Sequence, residues 1–223
     1  MLAPRLLCFA SLTLAAPALA ATADPATSPA SESEAPEEAE QPLIPAAKDV
    51  LSGHLQLGAG GLGLMPIAML DGKTGFRDVA GLGVGAAADV GVGVSRYLSF
   101  GAFGEYAHFT SSSDCSSCKA DSFAVGPFVR YHLLQGARFD PWLTLGVGYR
   151  KLSLSGTPSD ADYAGIDWAR VALGGDWYAL SQVGFGPYAQ AALGTFTDRP
   201  QGSATVYGMV NLGLRFTFDA QGR

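Results

Sequence analysis

The residues best suited to catalysis lie together near the middle of the chain. His108 is followed by Ser111, Ser112 and Ser113, and then by Asp114. A histidine beside a serine nucleophile, oriented by an acid, is the arrangement that a lipid-modifying enzyme would need. Clusters of Ser and Asp are also the ordinary composition of a polar loop. We therefore expect no enzymatic activity, and lipid modification through His108 stays open as an alternative.

Two cysteines, Cys115 and Cys118, follow directly. A zinc site wants four ligands, and His108 is the one further ligand nearby. An exported protein meets an oxidising compartment, which favours a disulfide between Cys115 and Cys118 over a free pair. We predict no metal and no cofactor.

The segment from Gly58 to Gly63 has the glycine spacing of a dinucleotide-binding loop. Such a loop needs a helix after it, because the helix N-terminus receives the phosphates. Here the glycines lie within a predicted strand and Pro66 follows. We interpret the spacing as chance, since all 29 glycines of the chain follow residue 47.

Charged and amide side chains recur on one face of the predicted strands. They are Gln56, Asp89, Glu105, Arg130, Arg150, Arg170, Asp176, Gln190, Asn211 and Arg215. The charged members of this set are four arginines and three carboxylates. They form either a neutralised plug or a narrow ion path. We favour the plug, because eight strands enclose only enough space for side chains to fill. For His132 the sequence suggests no partner.

Eight segments of alternating hydrophobicity must position these side chains. They lie at about Gly53–Met65, Leu82–Val94, Leu98–Phe109, Ser122–Leu133, Trp142–Leu154, Ile166–Trp177, Phe185–Phe196 and Thr205–Phe218. No window gives a convincing helical period. In every segment a continuous apolar face lies opposite small or charged residues.

The apolar faces are expected to meet lipid. An interior filled by Phe, Leu, Val and Tyr from all eight strands would exceed the available space, and the exterior would be largely glycine. With the apolar faces outward, glycine and alanine leave room inside for charged side chains. The sequence thus predicts an all-β fold, an eight-stranded antiparallel up-and-down transmembrane β-barrel. A soluble lipocalin-like binder is the competing alternative.

The unequal lengths of the connections predict which end of the barrel faces the periplasm. The connections after strands one, three and five are long (66–81, 110–121 and 155–165), whereas 95–97 and 179–182 are short. Outer-membrane barrels have short periplasmic turns and longer outer loops, and an even strand number leaves both mature termini periplasmic. An aromatic girdle is expected at the periplasmic end, from Tyr97, Tyr131, Trp142, Trp177, Tyr178, Phe216 and Phe218.

The chain before the barrel divides into two segments. Residues 1–20 combine Arg5, a short apolar run and Ala18-Leu19-Ala20, the pattern of a cleaved signal peptide. Residues 21–47 are rich in Ala, Pro, Ser and Glu, which predicts a disordered acidic linker. Of the net charge of −6, Arg5 contributes +1 and the six linker acids −6, which leaves −1 for the rest. The predicted barrel is 48–218, with a short extension at 219–223.

The C-terminal octet resembles a known signal. Asn211, Gly213, Phe216 and Phe218 match the polar, glycine and aromatic positions of the recognition signal of bacterial outer-membrane barrels. Over 48–218 the chain is similar in size and pattern to the eight-stranded barrels related to outer-membrane protein A. The resemblance implies insertion by the barrel-assembly machinery into the outer membrane of a Gram-negative bacterium.

The role expected for such a barrel is structural or surface-interacting, through the loops around Lys73, Cys115 to Cys118 and Pro158. A narrow pore or small-molecule conduit is the first alternative, and a lipid-modifying enzyme is the second. Outer-membrane lipid is the expected partner, and no nucleic acid is expected. The sequence indicates no particular oligomeric state.

Overall fold

Eight antiparallel strands close into a barrel, with β8 pairing back onto β1. The computed structural model describes residues 51–67, 80–111, 118–134, 138–156, 160–198 and 204–222. The strands are β1 (Leu55–Pro66), β2 (Ala80–Gly93), β3 (Leu98–Ser111), β4 (Lys119–His132), β5 (Phe139–Ser155), β6 (Ala161–Leu180), β7 (Val183–Asp198) and β8 (Thr205–Asp219). The predicted fold class and all eight strands are confirmed.

Several predictions concern residues outside this described part. They are the leader at 1–20, the linker at 21–47, Lys73, Ser112, Ser113, Asp114, Cys115 and Pro158. Within the described ranges, no helix is long and apolar enough to cross a membrane.

β5 and β6 are longer than predicted, at 17 and 20 residues. Ser153 and Leu154 pair with Asp162 and Ala161, so the ladder between the two strands continues past the expected end of the barrel wall. The expectation of a long connection over 155–165 was therefore wrong, since 156–160 joins the two strands. The β5–β6 hairpin extends the wall at the end that carries the predicted outer loops.

The burial pattern is inverted relative to a soluble barrel. Arg150 is fully buried, whereas Leu212 and Phe216 are 65% and 60% exposed. Along β4 and the residue that follows it, the outward side chains from Phe123 to Leu133 cover about 33 Å along the chain and about 25 Å along the axis at a tilt of about 40°, the height of a transmembrane apolar band. Such an exterior is stable against lipid, so we treat β1–β8 as the membrane-spanning strands of an outer-membrane barrel.

Aromatic side chains surround the periplasmic end of this exterior. Tyr97 stacks on Tyr131 with ring centroids 5.9 Å apart, and Phe139 packs on Trp177 at 6.4 Å. Phe216 is exposed at the same end. Aromatic rings are favoured at this depth because they are apolar bodies that tolerate the headgroup region.

Two residues predicted for the girdle, Trp142 and Tyr178, are instead buried in the lumen. Trp142 shares its face of β5 with Asp140 and Thr144, both buried. The prediction was wrong for these two because it grouped aromatic residues by their position along the strands and did not apply the alternation of faces.

Glycines on the inward face make room for large side chains from other strands. A Cβ on Gly58 would lie 2.2 Å from Oδ2 of Asp89, and one on Gly213 would lie 2.7 Å from the ring of Tyr188. Both distances are far below van der Waals contact. The glycine-rich inner wall is what allows eight strands to enclose charged and aromatic side chains.

Candidate functional site

The lumen contains two clusters of ion pairs. The upper cluster, nearer the outer loops, consists of Glu105, Arg150, Asp167 and Arg170. Arg150 donates to both oxygens of Asp167, from Nε at 3.1 Å and from Nη2 at 3.0 Å, and Nη2 also reaches Oε1 of Glu105 at 3.2 Å. Arg170 donates to Oε2 of Glu105 at 2.5 Å. One carboxylate is thus held by two guanidiniums from different strands.

Amide and hydroxyl donors complete the upper cluster. The side-chain amides of Gln190 and Asn211 donate to Oε2 of Glu105 at 3.1 and 3.0 Å, and the hydroxyl of Tyr207 donates to Asp167. A buried carboxylate needs such donors because burial removes the water that would otherwise solvate it.

The lower cluster, nearer the periplasmic end, consists of Asp89, Arg130, Asp176 and Arg215. Arg215 binds Asp89 through two parallel hydrogen bonds, Nη2 to Oδ1 at 2.8 Å and Nε to Oδ2 at 3.0 Å, and reaches Asp176 from Nη1 at 2.7 Å. Arg130 donates to Oδ1 of Asp89 at 3.1 Å. Trp142 lies beside this cluster, and its ring centroid is 4.8 Å from Arg130 Cζ and 5.5 Å from Arg215 Cζ.

Each cluster is neutral by itself, with two arginines and two carboxylates. Neutrality matters because an uncompensated charge in a low-dielectric lumen is far more costly than a paired one. The structure therefore brings together all seven charged residues predicted to share the lumen, and it divides them between two separate layers.

An eighth charge, Asp167, completes the balance. Strict alternation places Asp167 and Arg170, three residues apart, on opposite faces of β6. A bulge between Asp167 and Ala169 in the pairing of β6 with β7 inserts one residue, so both side chains point inward. For this reason Asp167 was not among the residues predicted to face the lumen.

Apolar side chains pack together inside the lumen above the upper cluster. This apolar cap consists of Leu62, Leu64, Phe109, Leu152, Leu154, Phe196 and Met209, all buried. The cap was not predicted, because the inward faces near the outer loops were expected to be small or charged throughout.

Two histidine–carboxylate pairs lie at the periplasmic end. His132 Nδ1 is 2.7 Å from Asp140, and both side chains are buried. His54 Nδ1 is 2.9 Å from Asp219, the last residue of β8. The chain after Phe218 thus continues the seam between the first and last strands, where Gln221 also accepts a hydrogen bond from the backbone N–H of Leu55 at 3.0 Å.

His108 lies on the outward face, above the apolar band. Its Nδ1 is 2.9 Å from Oδ1 of Asp121, and the hydroxyl of Tyr106 donates to the same oxygen at 2.6 Å. The carboxylate beside His108 is therefore Asp121, from the neighbouring strand.

The remaining predicted site residues lie in three places. Cys118 is buried and disulfide-bonded, while Cys115 lies outside the described residues. Asn211 faces the upper cluster and Gly213 faces Tyr188. Phe218 is exposed on the outer face. The four residues of the predicted assembly signal thus divide between the two sides of β8.

No family model and no curated protein matches the chain. Solved structures with a similar fold include Neisserial surface protein A, with 14% identity and a TM-score of 0.48 over 73% of this chain and 94% of that one. The outer membrane protein OprG of Pseudomonas aeruginosa has 12% identity and a TM-score of 0.48 over 76% and 98%. The N-terminal β-barrel domain of Pseudomonas aeruginosa OprF has 12% identity and a TM-score of 0.47 over 75% and 98%. At these identities the likeness concerns the fold alone.

Proposed function

We propose that the chain is an integral outer-membrane barrel with a closed lumen, whose role is structural or surface-interacting. The observation that carries this proposal is the series of three layers across the lumen: the lower cluster, the upper cluster and the apolar cap. An ion that crossed this series would have to separate buried ion pairs twice and then pass apolar side chains. Each of these steps is costly in a low-dielectric interior.

Planar-bilayer conductance of the refolded protein tests the proposal. Gel mobility of unheated and boiled samples first establishes that the barrel is folded. We expect folded protein to give no sustained conductance steps. Sustained steps from folded wild-type protein would contradict the plug and favour the alternative, a narrow conduit.

Alanine variants of Arg130 and Arg150 separate the two interpretations of the clusters. If the clusters are structural, each variant lowers the stability of the barrel. A variant that keeps the wild-type difference between unheated and boiled mobility, yet changes conductance, would favour an ion path.

We further propose that the barrel is not a lipid-modifying enzyme. Asp121 orients the imidazole of His108 as the acid of a triad would, but in support of the proposal no serine among the described residues, which include Ser111, is hydrogen-bonded to this imidazole. Mass spectrometry of lipid A after expression tests this, and we expect unchanged masses. A mass change that is lost in His108→Ala would favour the enzyme.

A further inference from the structure

A small cavity separates the lower cluster from the upper cluster. Its volume is about 50 Å³, and its charged lining residues are Asp89, Arg130, Arg170 and Arg215. A buried water needs roughly 10–15 Å³ of such volume. The cavity therefore has room for one monatomic ion or a few waters.

Three hydrogen-bonding groups in the wall of this cavity lack a protein partner. They are Nη1 of Arg170, Nε1 of Trp142 and the hydroxyl of Tyr188, which have no hydrogen-bond partner among the described residues. The three side chains are 6%, 3% and 9% exposed and all line the cavity. The carboxylate of Asp167 lies 3.7 Å from Arg170 Nη1, beyond hydrogen-bonding distance. Unpaired buried donors are costly, so this cavity suits an acceptor.

The wall also carries an excess of positive charge. Three guanidiniums and one carboxylate line the cavity, so the formal charge of its wall is +2. The carboxylates that make the clusters neutral as a whole, Glu105, Asp167 and Asp176, bind the arginines without lining the cavity. The charges that face the cavity are therefore predominantly positive, although the lumen as a whole is balanced.

We propose that the cavity is a binding site for one small monovalent anion of the size of chloride or bromide. Nη1 of Arg170 and Nε1 of Trp142 are donors only, and the hydroxyl of Tyr188 rotates to donate. One anion accepts hydrogen bonds from all three groups and joins the two clusters. Its attraction to the guanidiniums is strong because the lumen has a low dielectric constant.

Thermal unfolding of the full chain, refolded in detergent micelles, tests the site. Sodium chloride or bromide replaces sodium gluconate at constant ionic strength, since gluconate is too large for the cavity. We expect Tm to rise along a saturating curve, as for a ligand that binds only the folded state. Crystals grown in bromide should show anomalous density between Arg170, Trp142 and Tyr188. Equal Tm in all mixtures, or water alone at this position, would overturn the proposal.

Two conservative variants assign the effect to this cavity. Tyr188→Phe and Trp142→Phe each remove one unpaired group and keep an aromatic ring. Loss of one hydrogen bond to a charged group should raise the chloride concentration at half-maximal effect about tenfold. Tyr149→Phe and Trp168→Phe make the same changes on the outward face, where both residues are about half exposed, and should leave the midpoint unaltered. If both lumen variants show the wild-type chloride concentration at half-maximal effect, the site is refuted. If neither variant folds, anomalous diffraction from wild-type crystals grown in bromide decides the question.

Discussion

Replacement of Arg150 by methionine should reveal how strongly the ion pairs hold the barrel together. Methionine keeps a long unbranched chain but has no charge. The guanidinium is fully buried and binds Glu105 at 3.2 Å and Asp167 at 3.0 Å. Without it, the upper cluster has two carboxylates and one arginine, a buried charge of −1. Removal of one partner of a buried pair costs about 3–5 kcal/mol, and we expect a loss of free energy of unfolding of that size.

Urea unfolding in lipid vesicles measures this loss, with tryptophan fluorescence and unheated gel mobility as readouts. A second variant, Asp167→Asn, completes a double-mutant cycle. The double variant keeps Glu105 paired with Arg170 and restores neutrality. We therefore expect it to be more stable than the sum of the single effects predicts, by about 0.5–3 kcal/mol.

Lys151→Met is the matched control. Lys151 follows Arg150 in the chain but faces outward, and its Nζ lies 3.2 Å from Asp162, with the two side chains 48% and 64% exposed. Exposed pairs at this distance contribute little, so the urea midpoint should not change. A loss of less than about 1 kcal/mol for Arg150→Met, or an equal loss for Lys151→Met, would contradict this expectation.

Two further predictions concern other parts of the barrel. Gly58→Ala should destabilise it by about 1–3 kcal/mol in urea unfolding, because the new methyl group meets Asp89, whereas Gly61→Ala, whose nearest contact would be 4.0 Å away, should be tolerated. Phe216→Ser should reduce the amount of heat-modifiable barrel in isolated outer membranes more than it lowers the stability of refolded protein.

The alternation of residue types was sufficient to predict the number of strands and the inward face of the seven charged side chains named from the sequence. Arg130 and Arg150 each follow the inward rows of their strands without interruption, so counting by two places them correctly. Asp167 could not be placed this way, because its bulge depends on how β6 pairs with β7. The face of a residue is encoded locally, whereas a bulge is a property of two strands.

For a related reason, the sequence could not predict which arginine binds which carboxylate. Glu105 binds arginines from β5 and β6, and Asp89 binds arginines from β4 and β8. These partners meet across the lumen, at heights set by the stagger of the whole barrel. The pair of His132 and Asp140 was easier to predict, because the two residues are only eight positions apart in the chain and both point inward from adjacent strands. They were missed because β5 begins three residues before the predicted start, so Asp140 lay outside the strand.

Neutrality of each cluster by itself bears directly on whether the lumen conducts. If instead one cluster carried a net positive charge and the other a net negative charge, a permeating ion could pass from one cluster to the oppositely charged one along the barrel axis. With both clusters balanced, a cation gains no attraction from the next layer while it separates a pair in the first, and an anion held in the cavity between the clusters must still separate the pairs of the upper cluster. The apolar cap then adds a barrier that contains no charge. A single substitution therefore disrupts one of the three layers and leaves the other two in place. A variant such as Arg150→Met should lose stability without gaining conductance.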